Sequence, residues 1–166
     1  MRRLLLAGLC GVAAMAPAGA QAGTDFCGIL KQVTDAAEVD FATIKTDDDQ
    51  AGAYSVSVAL PAADGCKLDR ALEADFQELR YQCDFTQLNF AAAGGVDQAD
   101  NINIVGLKYA GYIAGCRPDL TAKESESVWA KTTSFVDSDG QKWIDVMRMG
   151  TGFEVEVFNG HKNPNY

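Results

Sequence analysis

The chain has few of the residues on which most enzymes depend. Its 166 residues include one histidine, His161, which lies five residues before the C-terminus, where chain ends usually fray. A Ser-His-Asp or Cys-His unit needs a histidine held within hydrogen-bonding reach of its nucleophile, so a terminal histidine argues against both. The sequence also contains no G-x-S-x-G, no phosphate-binding glycine loop and no paired-histidine motif. We therefore expect a non-enzymatic protein without a cofactor.

Basic residues are also scarce. The sequence has 14 Lys and Arg against 23 Asp and Glu, a formal net charge of −9. This balance argues against nucleic acids and anionic membranes as partners, because both attract basic surfaces. After the N-terminal segment, no apolar run approaches the roughly 18 residues that a membrane-spanning helix needs, so we expect no membrane insertion.

The N-terminal segment is typical of a secretory signal peptide. It has Arg2 and Arg3, an apolar run from Leu4, and small residues in A-x-A spacing at its end. We predict a leader over residues 1–22 and a single domain over residues 23–166, located in the periplasm or outside the cell. Without the leader, 12 of the 14 basic residues remain against 23 acidic ones, a formal charge of −11.

Residues 54–85 contain three short runs in which apolar and polar side chains alternate, as they do in strands with one buried face. A turn-forming stretch at 61–65 and a second reversal near Ala74 would fold them into an antiparallel meander. The pairs expected across these loops are Tyr54 with Leu72, Leu68 with Tyr81, Arg70 with Leu79, Asp69 with Arg80, and Cys66 with Cys83.

Four cysteines remain after leader cleavage, and an even number in an exported chain indicates two disulfides. The meander places Cys66 and Cys83 opposite each other, within the ~5.5 Å Cα separation that a disulfide prefers. Cys27 and Cys116 then pair by elimination, although a helix cysteine could instead take either strand cysteine. The absence of C-x-x-C spacing argues against a zinc site.

Helical periodicity occurs twice, near residues 24–37 and near residues 96–116. Gly106, Gly111 and Gly115 weaken the second helix or let it lie close to a sheet. A polar loop is expected at 120–127, followed by a second meander with strands at 128–136, 142–149 and 153–158. The fold class is therefore α+β, two helices packed on antiparallel sheet in the order helix-βββ-helix-βββ. An internal duplication, and one sheet or two, are left open.

The second meander offers the strongest candidate for a binding surface. One face would carry Val136, Ile144, Val146, Phe153, Val155 and Val157, and is the natural core side. If Phe135 meets Trp143, the other face would combine large apolar residues with charges. Its members would be Trp129, Phe135, Trp143, Met147, Met149, Phe158, Lys131, Asp145, Glu154 and Glu156. Aromatic anchors among charges are typical of protein interfaces. The alternative is that a helix or loop covers this face as a second core layer.

Two charged features suggest other chemistry. Asp145 and Glu156 should face each other across the last hairpin, where like charges raise a carboxyl pKa. They could serve carboxylate catalysis, or Lys131 or Lys142 could screen them. Arg70 is the one charge on the apolar face of the first meander, and could bind an anion or reach to solvent.

The leading hypothesis is a non-enzymatic exported domain that binds another protein, with an envelope inhibitor or immunity-type protein as one specific form. The predicted binding residues are Trp129, Phe135, Trp143, Phe158, Asp145, Glu154, Glu156 and Arg70. The alternatives are a small carboxylate-dependent hydrolase that uses Asp145 and Glu156, or a carrier that holds a small ligand between sheet and helices.

Overall fold

The computed structural model describes residues 22–46, 53–73, 76–86, 102–150 and 152–159. These residues contain the helices α1 (Ala22–Ala37) and α2 (Ile102–Cys116). The strands are β1 (Ala53–Ser55), β2 (Gly65–Glu73), β3 (Phe76–Thr86), β4 (Thr121–Glu126), β5 (Lys131–Val136), β6 (Lys142–Met149) and β7 (Gly152–Phe158). The predicted α+β class is confirmed. Neither described helix is long and apolar enough to cross a membrane. The predicted leader, except its last residue, and His161 lie outside the described residues.

The seven strands form one antiparallel sheet in the order β1-β2-β3-β7-β6-β5-β4. The pairing of β3 with β7 joins the two meanders, which answers the question that the sequence left open. Both helices cover the same side of the sheet, here called the helix-facing side: Tyr109 of α2 packs on Phe85 and Phe153, and Phe26 of α1 packs on Tyr109.

Helix α1 forms because its apolar residues recur at helical spacing and find a sheet to cover. The predicted buried residues Phe26, Leu30, Val33 and Ala37 are indeed buried. The chain then turns sharply at Asp40 and Phe41, which adopt φ angles of 56° and 58°. This bend places Phe41 and Ile44 in the core and leaves Val39 exposed.

Helix α2 lies close to the sheet at one glycine. A Cβ atom on Gly106 would come within 2.5 Å of Cγ and 2.8 Å of Cδ of Arg148 on β6, whereas Gly111 and Gly115 face open space. Gly106 therefore lets α2 lie close to the sheet, which is one of the two roles expected of the glycines. The residues 96–101 predicted to begin this helix lie outside the described part of the chain.

In the first meander, the register of β2 and β3 is as predicted, with Leu68 opposite Tyr81 and Cys66 opposite Cys83. The predicted register of β1 was wrong, because Tyr54 pairs with Leu68 and not with Leu72. The chain leaves the sheet after Ser55, and Leu60 is buried from within the following loop. The loop is fixed by the Tyr81 hydroxyl, which donates to the Val58 carbonyl at 3.0 Å.

Both predicted disulfides are present. Cys27–Cys116 ties α1 to the last residue of α2 with a Cα separation of 5.2 Å, and Cys66–Cys83 links β2 to β3 with a separation of 4.2 Å. Two disulfides are consistent with an oxidising, exported environment.

The second half has four strands, not the three that the sequence predicted. Residues 121–126 were expected in a loop because they contain no apolar alternation, and all six are exposed. They nevertheless pair with β5 from Thr121 opposite Val136 to Glu126 opposite Lys131, as the edge strand of the sheet. The predicted turn from Asp137 to Gly140 is confirmed, with a φ of 83° at Gly140.

Candidate functional site

The turn between β4 and β5, residues 127–130, is held by several hydrogen bonds and is called the hairpin tip. The Ser127 amide donates to the Ala130 carbonyl at 2.9 Å. The Ser127 hydroxyl oxygen accepts from the amides of Trp129 and Ala130 at 3.3 and 3.0 Å. Together with the backbone pairing of β4 and β5, these hydrogen bonds give the tip a defined conformation.

Two large apolar side chains stand on this turn. Val128 is 90% exposed and Trp129 is 86% exposed, the highest values among the large apolar residues described. Single exposed apolar residues are common on protein surfaces, but two neighbours on a hydrogen-bonded turn form a compact apolar projection. A tryptophan this exposed leaves roughly 200 Å² uncovered, and burying that area would contribute about 5 kcal/mol before the costs of association.

Further apolar side chains lie at the same end of the sheet. Because Lys131 pairs with Arg148, the next residue of β6, Met149, lies level with the tip, and it is 38% exposed. Gly106 of α2 contacts Arg148, so the exposed Ile104 and Leu107 on the same helical turn lie near this end as well. Five of the seven exposed large apolar residues described therefore belong to one end of the molecule.

Of the exposed residues at this end, the sequence pattern predicts Trp129 and Met149 on the binding surface but not Val128, Ile104 or Leu107. Val128 was placed inside a strand, although the pair Val128-Trp129 follows a charged segment and a serine able to stabilise a turn. Ile104 and Leu107 fall off the helical stripe that contains Val105 and Tyr109. Their apolar character on the outer face of α2 was the available signal.

Phe135 and Trp143 do not lie on an outer face, so the predicted aromatic surface was wrong in its composition. They are 1% and 8% exposed and belong to the core cluster beneath the helices. Phe135 pairs with Ile144 and not with Trp143, because a bulge interrupts the β5–β6 ladder between Phe135 and Val136. The irregularity leaves Val136, expected on the core side, outside that cluster.

The buried indole of Trp143 is fully engaged. Its Nε1–H donates to Asp137 Oδ2 at 2.9 Å, and the Arg117 guanidinium carbon lies 5.6 Å from its ring centre. This hydrogen bond is the main cause that lowers the pKa of Asp137. Trp143 thus ties the β5–β6 turn to the end of α2, which is a structural role.

Phe158 lies on the side of the sheet opposite the helices, and it too is buried, at 5% exposure. The Lys142 ammonium is 4.3 Å from its ring centre and the Arg80 guanidinium carbon 5.3 Å away. Cations near an aromatic ring are attracted by the ring quadrupole. Phe158 therefore packs against Arg80 and Lys142, two cations that also form ion pairs with carboxylates.

Asp145 and Glu156 face each other across β6 and β7, as predicted. With Glu154 they form a cluster here called the acid row. Lys142 Nζ is 2.9 Å from Asp145 Oδ2, and Arg80 Nη1 is 3.8 Å from Glu156 Oε1. Of the two lysines proposed to screen these acids, Lys142 does so.

Burial is the main cause that raises the pKa of Glu156 to about 7. The charge of Arg80 opposes this shift, and those of Glu154 and Asp145 add to it. The pKa of Glu154 is also raised, mainly by burial, and its carboxyl shares hydrogen bonds with Gln82 and Glu156. Glu156 therefore holds a proton over much of the range below neutral pH.

Glu156 can exchange a proton near pH 7, but Glu156 and its neighbour Asp145 are poorly accessible. Asp145 and Glu156 are 5% and 8% exposed. Asp145 Oδ1 is buried, and no described residue offers it a hydrogen bond. Within the described ranges, no group of three His, Cys, Asp or Glu side chains is suited to hold a metal ion.

Arg70 lies on β2, at the opposite edge of the sheet from the hairpin tip. It donates a hydrogen bond to the Tyr54 hydroxyl, and Lys45 Nζ stands 3.5 Å from the centre of the same ring. The structure therefore does not bring Arg70 together with the other predicted binding residues.

An open groove of about 480 Å³ runs beside the Cys27–Cys116 disulfide. Leu30, Lys31 and Thr34 of α1 and Arg117 just after α2 are among its lining residues, so it lies between α1 and the C-terminal end of α2. This is not the space between sheet and helices in which a small ligand was expected.

The chain matches no protein-family model, no curated protein and no solved structure. The hairpin tip and the acid row are the two features of the described residues that bear on function.

Proposed function

We propose that this chain is an exported domain that binds another protein through the hairpin tip. The observation that carries the proposal is the exposure of Val128 and Trp129 on a hydrogen-bonded turn at the end of the sheet. Tryptophan is enriched among the residues that dominate interface energies, especially when it fills a pocket on the partner. Met149 and the outer face of α2 would lie at the margin of the contact.

The charge of the chain favours a protein as the partner. A mature charge of −11 repels nucleic acids and anionic lipid surfaces, whereas a protein pocket can be apolar at its centre and neutral or basic at its rim. The two disulfides fit a location in the periplasm or outside the cell. An inhibitor or immunity-type protein is the specific form we favour, because a projecting hairpin can enter the cleft of a target enzyme.

Affinity capture tests this proposal. Residues 23–166 with both disulfides intact would be immobilised and exposed to an extract of the cell envelope and to secreted material. A Val128→Ala/Trp129→Ala variant should lose a stoichiometric protein that the native bait retains. Val39→Ala is the matched control, because Val39 is 51% exposed at the bend after α1, far along the chain from the tip. Equal retention of the same protein by native and tip-variant baits would refute the proposal.

A second candidate function is supported by the raised pKa of Glu156 beside Asp145. A carboxyl group with a pKa near 7 can act as a general acid, as carboxylate-dependent hydrolases require. Assays on glycoside and ester substrates would compare the native chain with Glu156→Gln across pH 5–9. Activity that is present in the native chain and absent from the variant would favour the hydrolase, and inactivity of both would exclude it for those substrates.

A further inference from the structure

Arg148 is a buried cation on the helix-facing side of β6. Its side chain is 3% exposed. Its guanidinium nevertheless reaches β5 and β4, the two strands between β6 and the edge of the sheet. Nε donates to the Lys131 carbonyl on β5 at 3.3 Å. Nη2 donates to Glu124 Oε2 on β4 at 2.5 Å and to the Thr133 hydroxyl on β5 at 3.3 Å. One side chain thus links β6 to β4 and β5, the two strands that carry the hairpin tip.

Glu124 completes this link from the edge strand. The Thr133 hydroxyl donates to its second carboxylate oxygen, so both oxygens of Glu124 are bonded. Partial burial opposes ionisation of this carboxyl, but the hydrogen bonds from Thr133 and Arg148, together with nearby positive charge, lower its pKa overall. Glu124 is therefore ionised at neutral pH, and Arg148 has the carboxylate partner that a buried charge requires.

The link matters because β4 has little else to hold it. All six of its side chains are exposed, so no apolar packing fixes the strand against the rest of the fold. Within the described part of the chain, the other ion pair of β4 is the exposed Glu126–Lys131 pair at 3.3 Å. Exposed pairs of this kind contribute little.

Helix α2 restricts the position of Arg148 from above. The Cα of Gly106 stands so close to the arginine that a Cβ there would lie 2.5 Å from Cγ. The side chain is therefore confined between helix and sheet, and its guanidinium is directed toward β4 and β5.

We infer that Arg148 is a positioning residue for the hairpin tip. Through Glu124 and Thr133 it fixes β4, so that Val128 and Trp129 are already ordered when they meet a partner. The inference rests on the proposed function for its biological meaning. Ordering a binding segment in advance lowers the entropy lost on association, which strengthens binding without adding a contact.

Backbone amide hydrogen exchange tests the positioning role without a partner. Glu124→Gln removes the charge but keeps the shape, and Arg148→Met replaces the buried ion with an apolar side chain of similar length. In both variants, exchange at residues 124–131 should quicken by about tenfold, the change expected for a lost hydrogen bond to a charged group, while β3 and β7 stay unchanged. Glu126→Gln, which alters the exposed ion pair on the same strand, is the control and should have little effect.

Unchanged exchange at residues 124–131 would overturn the inference, and so would an equal increase throughout the sheet, which would indicate general destabilisation. The binding arm uses the protein captured by the native chain and compares dissociation constants. If the Val128→Ala/Trp129→Ala variant still binds, the proposed function fails whatever the exchange shows. If that variant loses binding but Glu124→Gln binds as tightly as the native chain despite a loosened tip, the positioning role alone fails.

Discussion

The acid row predicts that this protein loses stability as the pH rises toward neutrality. Glu156 is buried beside Asp145 and Glu154, and its pKa is raised from 4.5 to about 7. Between these values the folded chain holds a proton that the unfolded chain releases, so the free energy of unfolding falls as pH increases. The contribution is fully present below pH 4.5 and lost above pH 7.

The size of the effect follows from the shift. A change from 4.5 to about 7 corresponds to about 3 kcal/mol between the two ends of the range. Glu154, whose pKa is also raised, acts in the same direction. Asp119, Asp137 and Glu124 have lowered pKa values and therefore act in the opposite direction. The stability that they contribute is lost only as the pH falls through the ordinary carboxyl range, so it changes little between pH 5 and pH 8.

Replacing Glu156 with glutamine isolates the contribution. The amide has the shape of the protonated acid and never ionises, so variant and native chain should have similar stability near pH 5. Above pH 8 the variant should be more stable than the native chain by up to about 3 kcal/mol, a difference that already includes the favourable charge of Arg80.

Urea unfolding at pH 5, 7 and 8.5, followed by circular dichroism, measures this difference. Glu126→Gln, an exposed carboxylate on β4, serves as the control and should give no comparable gain at high pH. A carboxyl titration of Glu156 followed by NMR would report its pKa directly. A stability difference that is the same at pH 5 and pH 8.5, or a native chain that gains stability across this range, would refute the reasoning.

Two further predictions concern the helices. Gly106→Ala should destabilise the fold by about 1–3 kcal/mol through overpacking against Arg148, although alanine favours helices, whereas Gly111→Ala faces open space and should stabilise it by roughly 0.5–1 kcal/mol. Thermal unfolding of both variants checks the opposite signs. Replacing Cys27 and Cys116 with alanine should lower the free energy of unfolding by about 4.5 kcal/mol, since this disulfide closes a segment of 89 residues, and urea unfolding of oxidised native and variant chains measures the loss.

Much of the fold could be predicted where several constraints in the sequence agreed. In β2 and β3 the alternation, the loop lengths and the two cysteines favour one register, and that register is present. Where alternation was the only signal, the prediction was wrong. The spacing of Val56, Val58 and Leu60 predicts a strand, but these residues lie in a loop that packs its apolar side chains against the core. A periodicity of two does not distinguish a strand from a loop with apolar residues at suitable places.

The two largest errors share a cause, which is that pairing and bulges depend on the partner strand. β4 has no apolar face of its own, and its strand conformation comes from hydrogen bonds to β5. The bulge beside Phe135 changes the side of the sheet on which the following side chains lie, and no residue type in the sequence predicts such a bulge. The candidate surface depended on both features. The sequence pattern therefore predicts Trp129 and Met149 on that surface, but it also places the buried Phe135 and Trp143 there and omits Val128.

The two charged clusters on opposite sides of the sheet have opposite consequences for function. On the helix-facing side, Arg148 and Glu124 compensate each other, so the cluster fixes the hairpin at any pH above the lowered pKa of Glu124. On the other side, Asp145, Glu154 and Glu156 outnumber Arg80 and Lys142, and burial makes ionisation of the third acid unfavourable. A change from pH 5 to pH 8 should therefore lower overall stability while leaving the tip ordered. If binding through Trp129 is measured across that range, it should weaken only where the whole domain begins to unfold; a loss of affinity at a pH where the fold is intact would assign the acid row a direct part in recognition.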